Sequence, residues 1–119
     1  MKQTIEMVRE FHEKFQHSVK DKPELNDIEL AKFRLSLIKE ETKELEEAIN
    51  NKDKTKVLDG LTDIQYVLDG TYIALGFGHL KQQAFEEVHN SNMTKDFNGS
   101  MKPIKGKDYI PPNLKQFVE

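Results

Sequence analysis

IQYVLDGTYIALG, residues Ile64–Gly76, is apolar on almost every side and shows no strict alternation of apolar and polar residues. A helix without a broad polar face is one that neighbours surround. Carried towards the N-terminus, the pattern continues as Val57, Leu61, Ile64, Leu68, Tyr72 and Leu75 at helical spacing, which predicts a helix from about Thr55 to Leu75 ended by Gly76 and Gly78. Upstream, Asn26 or Asp27 can cap a helix over Ile28–Asn50 that closes in the polar turn NNKDK, Asn50–Lys54. Before it, KDKPELND (Lys20–Asp27) breaks a first amphipathic helix over residues 3–18, whose stripe is Ile5, Val8, Phe11, Phe15 and Val19. Downstream, Leu80, Ala84, Phe85 and Val88 mark a fourth helix from about His79 to Asn90. The expected fold is an all-α bundle of three main helices plus an N-terminal helix, one domain over 1–119, with 91–119 an irregular tail. So long an irregular stretch is uncommon unless it has a use or is disordered.

Composition narrows the function. The chain has 119 residues, 33% of them charged and 36% apolar, a net charge of −3 and no cysteine. With a pI near 5.8 it lacks the basic surplus of a nucleic-acid binder. Disulfides, thiolate zinc sites and cysteine nucleophiles are excluded, so any metal site must use carboxylates and histidines. No apolar run approaches a membrane span, and MKQTIEMVRE lacks a signal-peptide core, so the cytoplasm is the expected location and no membrane partner is expected.

EETKELEEA, Glu40–Ala48, crowds acids onto the second helix. Steps of three and four from Leu30 give Leu30, Arg34, Leu37, Glu41, Glu44 and Ala48. Glu41 and Glu44 therefore stand among inward residues, with Glu40 beside them, whereas Glu46 and Glu47 point sideways as ordinary surface charges. On the third helix Asp59, Asp63, Tyr66 and Gly70 share a face. Buried carboxylates cost several kcal/mol unless paired or bound to a cation. The cations at hand, Arg34 in line and Lys43 and Lys56 nearby, are outnumbered. Oxygen-only ligands select a hard ion, Mg²⁺ or Mn²⁺ in its place, and Mg²⁺ also takes substrate phosphates. Glu41, Glu44, Asp59 and Asp63 are the candidate ligands, and Gly70 suggests a close helix–helix approach. Among the histidines, His12 and His17 suit surface or packing roles, and no spacing suits zinc.

RLSLIKEETKEL (Arg34–Leu45) followed by VLDGLTDIQYVLDG (Val57–Gly70) resembles the MazG-like all-α nucleoside triphosphate pyrophosphatases, a group that includes phosphoribosyl-ATP pyrophosphohydrolases and dimeric dUTPases. Their EExxE pattern is met at Glu40, Glu41 and Glu44. Their ExxD pattern is met at Asp63, but its glutamate falls on Gly60, so Asp59 is expected to supply the carboxylate, and Gly60→Glu to restore metal use in part in an Asp59→Asn background if the side chain fits. EVHNSNMTK (Glu87–Lys95) and GKDYIPPNL (Gly106–Leu114) resemble segments of the phosphoribosyl-ATP pyrophosphohydrolase-like branch, as does FHEKF (Phe11–Phe15). By composition alone Lys95, Lys102, Lys105 and Lys107 read as a solvated tail. The resemblance instead assigns Lys95 and Asn92 to substrate.

The resulting expectation is an Mg²⁺-dependent hydrolase that converts a nucleoside triphosphate to monophosphate and pyrophosphate. Glu41, Glu44, Asp59 and Asp63 would hold the metal, with Glu40 a further ligand or the base that orients water. Asn92, Lys95 and Arg34 would bind substrate. A poorly covered apolar third helix implies a homodimer or homotetramer. Two rivals are hydrolysis of phosphoribosyl-ATP and a non-catalytic helical module whose acids make salt bridges.

Overall fold

Asp27 starts the longest helix by accepting the Leu30 N–H on Oδ1 at 3.0 Å, which satisfies one orphan donor of the first turn. The computed structural model describes residues 1–119, and its helices are α1 (Thr4–Lys14), α2 (Ile28–Asn50), α3 (Lys54–Ala74), α4 (Lys81–Asn92) and α5 (Lys115–Val118). The fold is all-α. A single 3₁₀ turn, Gly78–Leu80, precedes α4, so the fourth helix begins two residues later than the sequence pattern predicts and runs two further.

The chain forms two compact units, Met1–Gly78 and His79–Glu119. In the first, three residues join α2 to α3, which makes the helices antiparallel neighbours. Lys52 turns the chain in the left-handed region, φ 53°, and Asp53 caps α3 by accepting from Lys56 N at 3.1 Å. α1 packs on α3, with Phe11 edge-on to Tyr66 at 5.5 Å between ring centres. It stops at Lys14 because Gln16 adopts φ 58°. The connection to α2 then lies along the C-terminal end of α3. Lys20 N and Glu24 N donate to Ile73 O and Leu75 O at 3.1 and 3.0 Å, and Ser18 Oγ donates to Ala74 O. These bonds satisfy carbonyls that the end of α3 leaves open. Gly76 makes the approach possible. Its φ is +87°, and a β-carbon there would collide with the backbone of Lys22.

The apolar stripe of α3 is only partly covered. Ile73 and Ala74 are buried, but Leu61 and Leu68 are exposed, as are Leu58 and Ile49. One layer of helices cannot enclose a helix that is apolar on most of its circumference.

In the second unit the chain after α4 returns to that helix. Asp96 and Ile104 form an isolated antiparallel bridge. Ser91, 5% exposed, donates from Oγ to Ile110 O at 2.7 Å. Thr94 Oγ1 accepts from Ile110 N and Glu87 Oε1 from Asn113 N. Lys105 Nζ lies 5.3 Å over the Tyr109 ring. The second unit is thus held largely by side-chain bonds where helix periodicity ends.

Candidate functional site

The middle of the α2–α3 pair gathers the acids. On α2, Glu41 is half-buried while Glu40 and Glu44 are exposed; on α3, Asp63 is half-buried and Asp59 exposed. Glu41 Oε2 is buried and has no hydrogen-bond partner. Its carboxyl is pushed above the usual carboxylate range by burial first, then by the charge of Glu44, to which a protonated Glu41 can donate, and by Asp63 and Glu40. Glu41, Glu44, Asp63 and Glu40 are therefore one electrostatic unit. Asp59 acts from one turn away.

A cavity of about 340 Å³ opens beside this group. Glu44, Asp59 and Asp63 line it, together with Glu47, Asn51 and Lys56. Glu47 was expected to be an ordinary surface charge, and Asn51 carried no signal at all. Both line the cavity because the α2–α3 turn folds the end of α2 over the start of α3, a consequence of chain reversal that helical periodicity does not encode. Lys56 supplies an ammonium among the acids.

Gly60 explains the departure from the ExxD pattern. It is buried on α3, and a β-carbon there would stand 3.3 Å from Cα, Cβ and Cδ1 of Leu45. The restoration expected of Gly60→Glu therefore requires Leu45 to give by a few tenths of an ångström. The acid that a neighbouring helix position offers is Asp59.

Does the group fit a divalent ion? The donors are all hard carboxylate oxygens, one of them buried and unbonded, with a proton affinity raised by like charge; that is the chemistry of a cation site. No three of these acids, alone or with a histidine, stand close enough to form a preassembled metal cage. The residues suit the ion in kind and place, with side chains that must close on it.

The other expected contacts lie elsewhere. Arg34 is 6% exposed on the same stripe of α2, two turns before Glu41. Gly70 gives room there, though to side chains and not to a second helix backbone: a β-carbon would collide with Arg34 Nη2 and lie 2.7 Å from His12 Nε2. His12 is a packing residue, 2% exposed. Asn92 and Lys95 belong to the second unit, Asn92 exposed at the end of α4 and Lys95 half-buried. Ser91, beside them in sequence, anchors the returning chain with its hydroxyl.

A family model described as phosphoribosyl-ATP pyrophosphohydrolase matches residues 8–92. The match spans the acids of α2 and α3 and all of α4. No curated protein matches the sequence. No helix is long and apolar enough to cross a membrane.

Proposed function

The chain belongs to the phosphoribosyl-ATP pyrophosphohydrolase family and is a hydrolase of acid anhydrides, and we propose that it converts a nucleoside triphosphate or deoxynucleoside triphosphate to the monophosphate and pyrophosphate with Mg²⁺. The observation that carries the metal is Glu41 Oε2, buried without a partner amid Glu44, Asp63 and Glu40. Glu41, Glu44 and Asp63 would hold the ion, with Asp59 as a further ligand from the cavity wall. Bound there, Mg²⁺ would neutralise phosphate oxygens and make a hydroxide available near neutral pH. The protein's share is positional. Burial and the neighbouring acids raise the proton affinity of Glu41, so a cation held there would offset the charge that those acids share. Glu40, exposed at the rim, is placed to orient water. Lys56 in the cavity would supply counter-charge for a polyphosphate, and Lys95 and Asn92 are kept as substrate-binding residues on the family resemblance alone.

Phosphoribosyl-ATP is the second substrate reading, favoured by the description of the matching family. It needs the same acids and differs only in what surrounds the anhydride. Self-association belongs to the proposal too. Ile49, Leu58 and Leu61 are each more than half exposed and line an apolar groove of about 450 Å³. A second copy that presents the same α2–α3 surface would bury it as a dimer, or twice over as a tetramer.

Pyrophosphate release from a panel of canonical and damaged nucleotides, dUTP and phosphoribosyl-ATP included, with and without Mg²⁺, tests the reaction. Turnover that survives removal of divalent ions would overturn the metal role. Light scattering at several protein concentrations tests the dimer or tetramer.

A further inference from the structure

Arg34 is a buried cation with donors to spare. Its Nε donates to Thr71 Oγ1 at 3.3 Å and its Nη2 to Val67 O at 3.0 Å. Both acceptors are neutral, and Nη1 makes no hydrogen bond within the protein. A guanidinium carries five N–H donors, and burial without a carboxylate is costly. Beside it lies His12. Its Nδ1 donates to Ser18 O at 2.9 Å, which leaves the lone pair on Nε2. Burial above all, with the Ser18 bond opposing and the charges of Arg34 and His17 adding to it, holds the imidazole below its usual pKa. The two groups converge over Gly70. A donor and an acceptor therefore stand side by side.

They open into a cavity of about 390 Å³ walled by Leu30, Phe33, Leu37 and Ala74, with His17 and Ser18 also at its lining, a volume within the small-molecule range of about 300–1,000 Å³. Mainly apolar walls with a few convergent polar groups, Arg34 and His12 among them, suit a flat heteroaromatic ring. They suit a phosphate poorly, because a dianion would lose its water and gain one positive charge. Phe33 is 56% exposed at this cavity and free to stack. Arg34 and Glu41 are seven residues apart on one stripe of α2, about 10 Å at the helical rise, which leaves room for a sugar and a first phosphate between this cavity and the acids.

We propose that this cavity seats the nucleobase of the substrate, with Arg34 Nη1 donating to a ring oxygen or nitrogen and His12 Nε2 accepting from the adjacent ring N–H or amino group. The assignment rests on the nucleotide pyrophosphohydrolase reading above and adds the place where the base is read. A base that pairs with both groups satisfies them. A substrate without one forgoes both bonds, which selects against it.

Binding is separable from turnover. In EDTA, uridine, cytidine, adenosine and guanosine 5′-monophosphates are titrated into the ¹⁵N-labelled protein, with ribose 5-phosphate as the control without a base. At least one nucleotide is expected to shift His12 Nε2 and the Ala74 amide while ribose 5-phosphate shifts neither. This result upholds the base site even if no triphosphate is hydrolysed, in which case only the reaction reading falls. Equal shifts with ribose 5-phosphate, or none with any nucleotide, overturn the proposal. Phe33→Ala, at an exposed position that leaves folding intact, is expected to raise KM about five- to tenfold with kcat changed less than about twofold. An unchanged KM for every substrate hydrolysed overturns it as well.

Discussion

The α2–α3 pair handles charge in opposite ways at two levels of the same helices. Around Gly70, Arg34 and His12 are deeply buried and partly satisfied, by Val67 O, Thr71 Oγ1 and Ser18 O. Near Gly60, the acids are half-exposed, and one buried oxygen, Glu41 Oε2, has no partner. Both glycines create room, but for different things: side chains at Gly70, the backbone of α2 at Gly60. Packing alone explains neither level. A folded protein satisfies its buried polar groups when it can, and Glu41 Oε2 departs from that rule.

The sharpest way to break the comparison is to neutralise the acids. Glu41→Gln, Glu44→Gln and Asp63→Asn are each expected to lower kcat/KM about a hundredfold or more, while the metal-free proteins melt no lower than wild type because like-charge repulsion is relieved. A steady-state assay beside a melting curve checks both halves. Near-normal activity in any one variant removes that residue from the ligand set.

Next come the glycines. Gly70→Ala should displace Arg34 and His12, and Gly60→Glu should push α3 from Leu45, each costing about 1–3 kcal/mol in urea unfolding. Gly60→Glu should not improve Mg²⁺ use by Asp59→Asn, which on its own should need more Mg²⁺ for half-maximal rate. If the double variant recovered, Gly60 would be a lost ligand and not a helix contact.

Arg34→Met separates structural from functional burial of charge. A guanidinium with only neutral acceptors gains little from its position, so an apolar side chain of similar length should unfold within about 1 kcal/mol of wild type or above it. A loss much larger than that would make Arg34 a structural residue first.

The smallest expected effect is in pH dependence, where the two levels have opposite signs. His12 has a folded pKa below its ordinary 6.5. The stability it contributes is present above 6.5 and is lost as pH falls through the folded value. Glu41 has a folded pKa above its ordinary 4.5. Its contribution is present below 4.5 and is lost as pH rises through the folded value. Metal-free melting curves should therefore lose their acid-side slope just below 6.5 in His12→Gln, and their decline above 4.5 in Glu41→Gln. Unchanged slopes in both variants would show that neither group titrates differently in the folded chain.

Much of this was legible in the sequence wherever one helix decides the matter. Period and caps place α2 at Ile28–Asn50 with Asp27 at its head, and α3 to within one residue at each end. The same periodicity aligns Arg34, Glu41 and Glu44 on one stripe and Asp59 with Asp63 on the other, because the helix turns by a constant angle per residue. The end of α1 was less legible, since Phe15 and Val19 continue its pattern past Lys14, where Gln16 takes a left-handed turn.

What only the tertiary structure decided are the pairings between elements. Leu45 against Gly60, Arg34 and His12 over Gly70, Asn51 and Glu47 in the acidic cavity, and Ser91 bonded to Ile110 all join residues whose sequence separations carry no period. Local propensity depends on residues within a turn or two, whereas these contacts depend on where the chain reverses and how closely two helices approach. The sequence alone determined that acids line up on two helices. The contact of Leu45 with Gly60, and the burial of Glu41 Oε2 among neighbouring acids, brought that alignment together across the two helices.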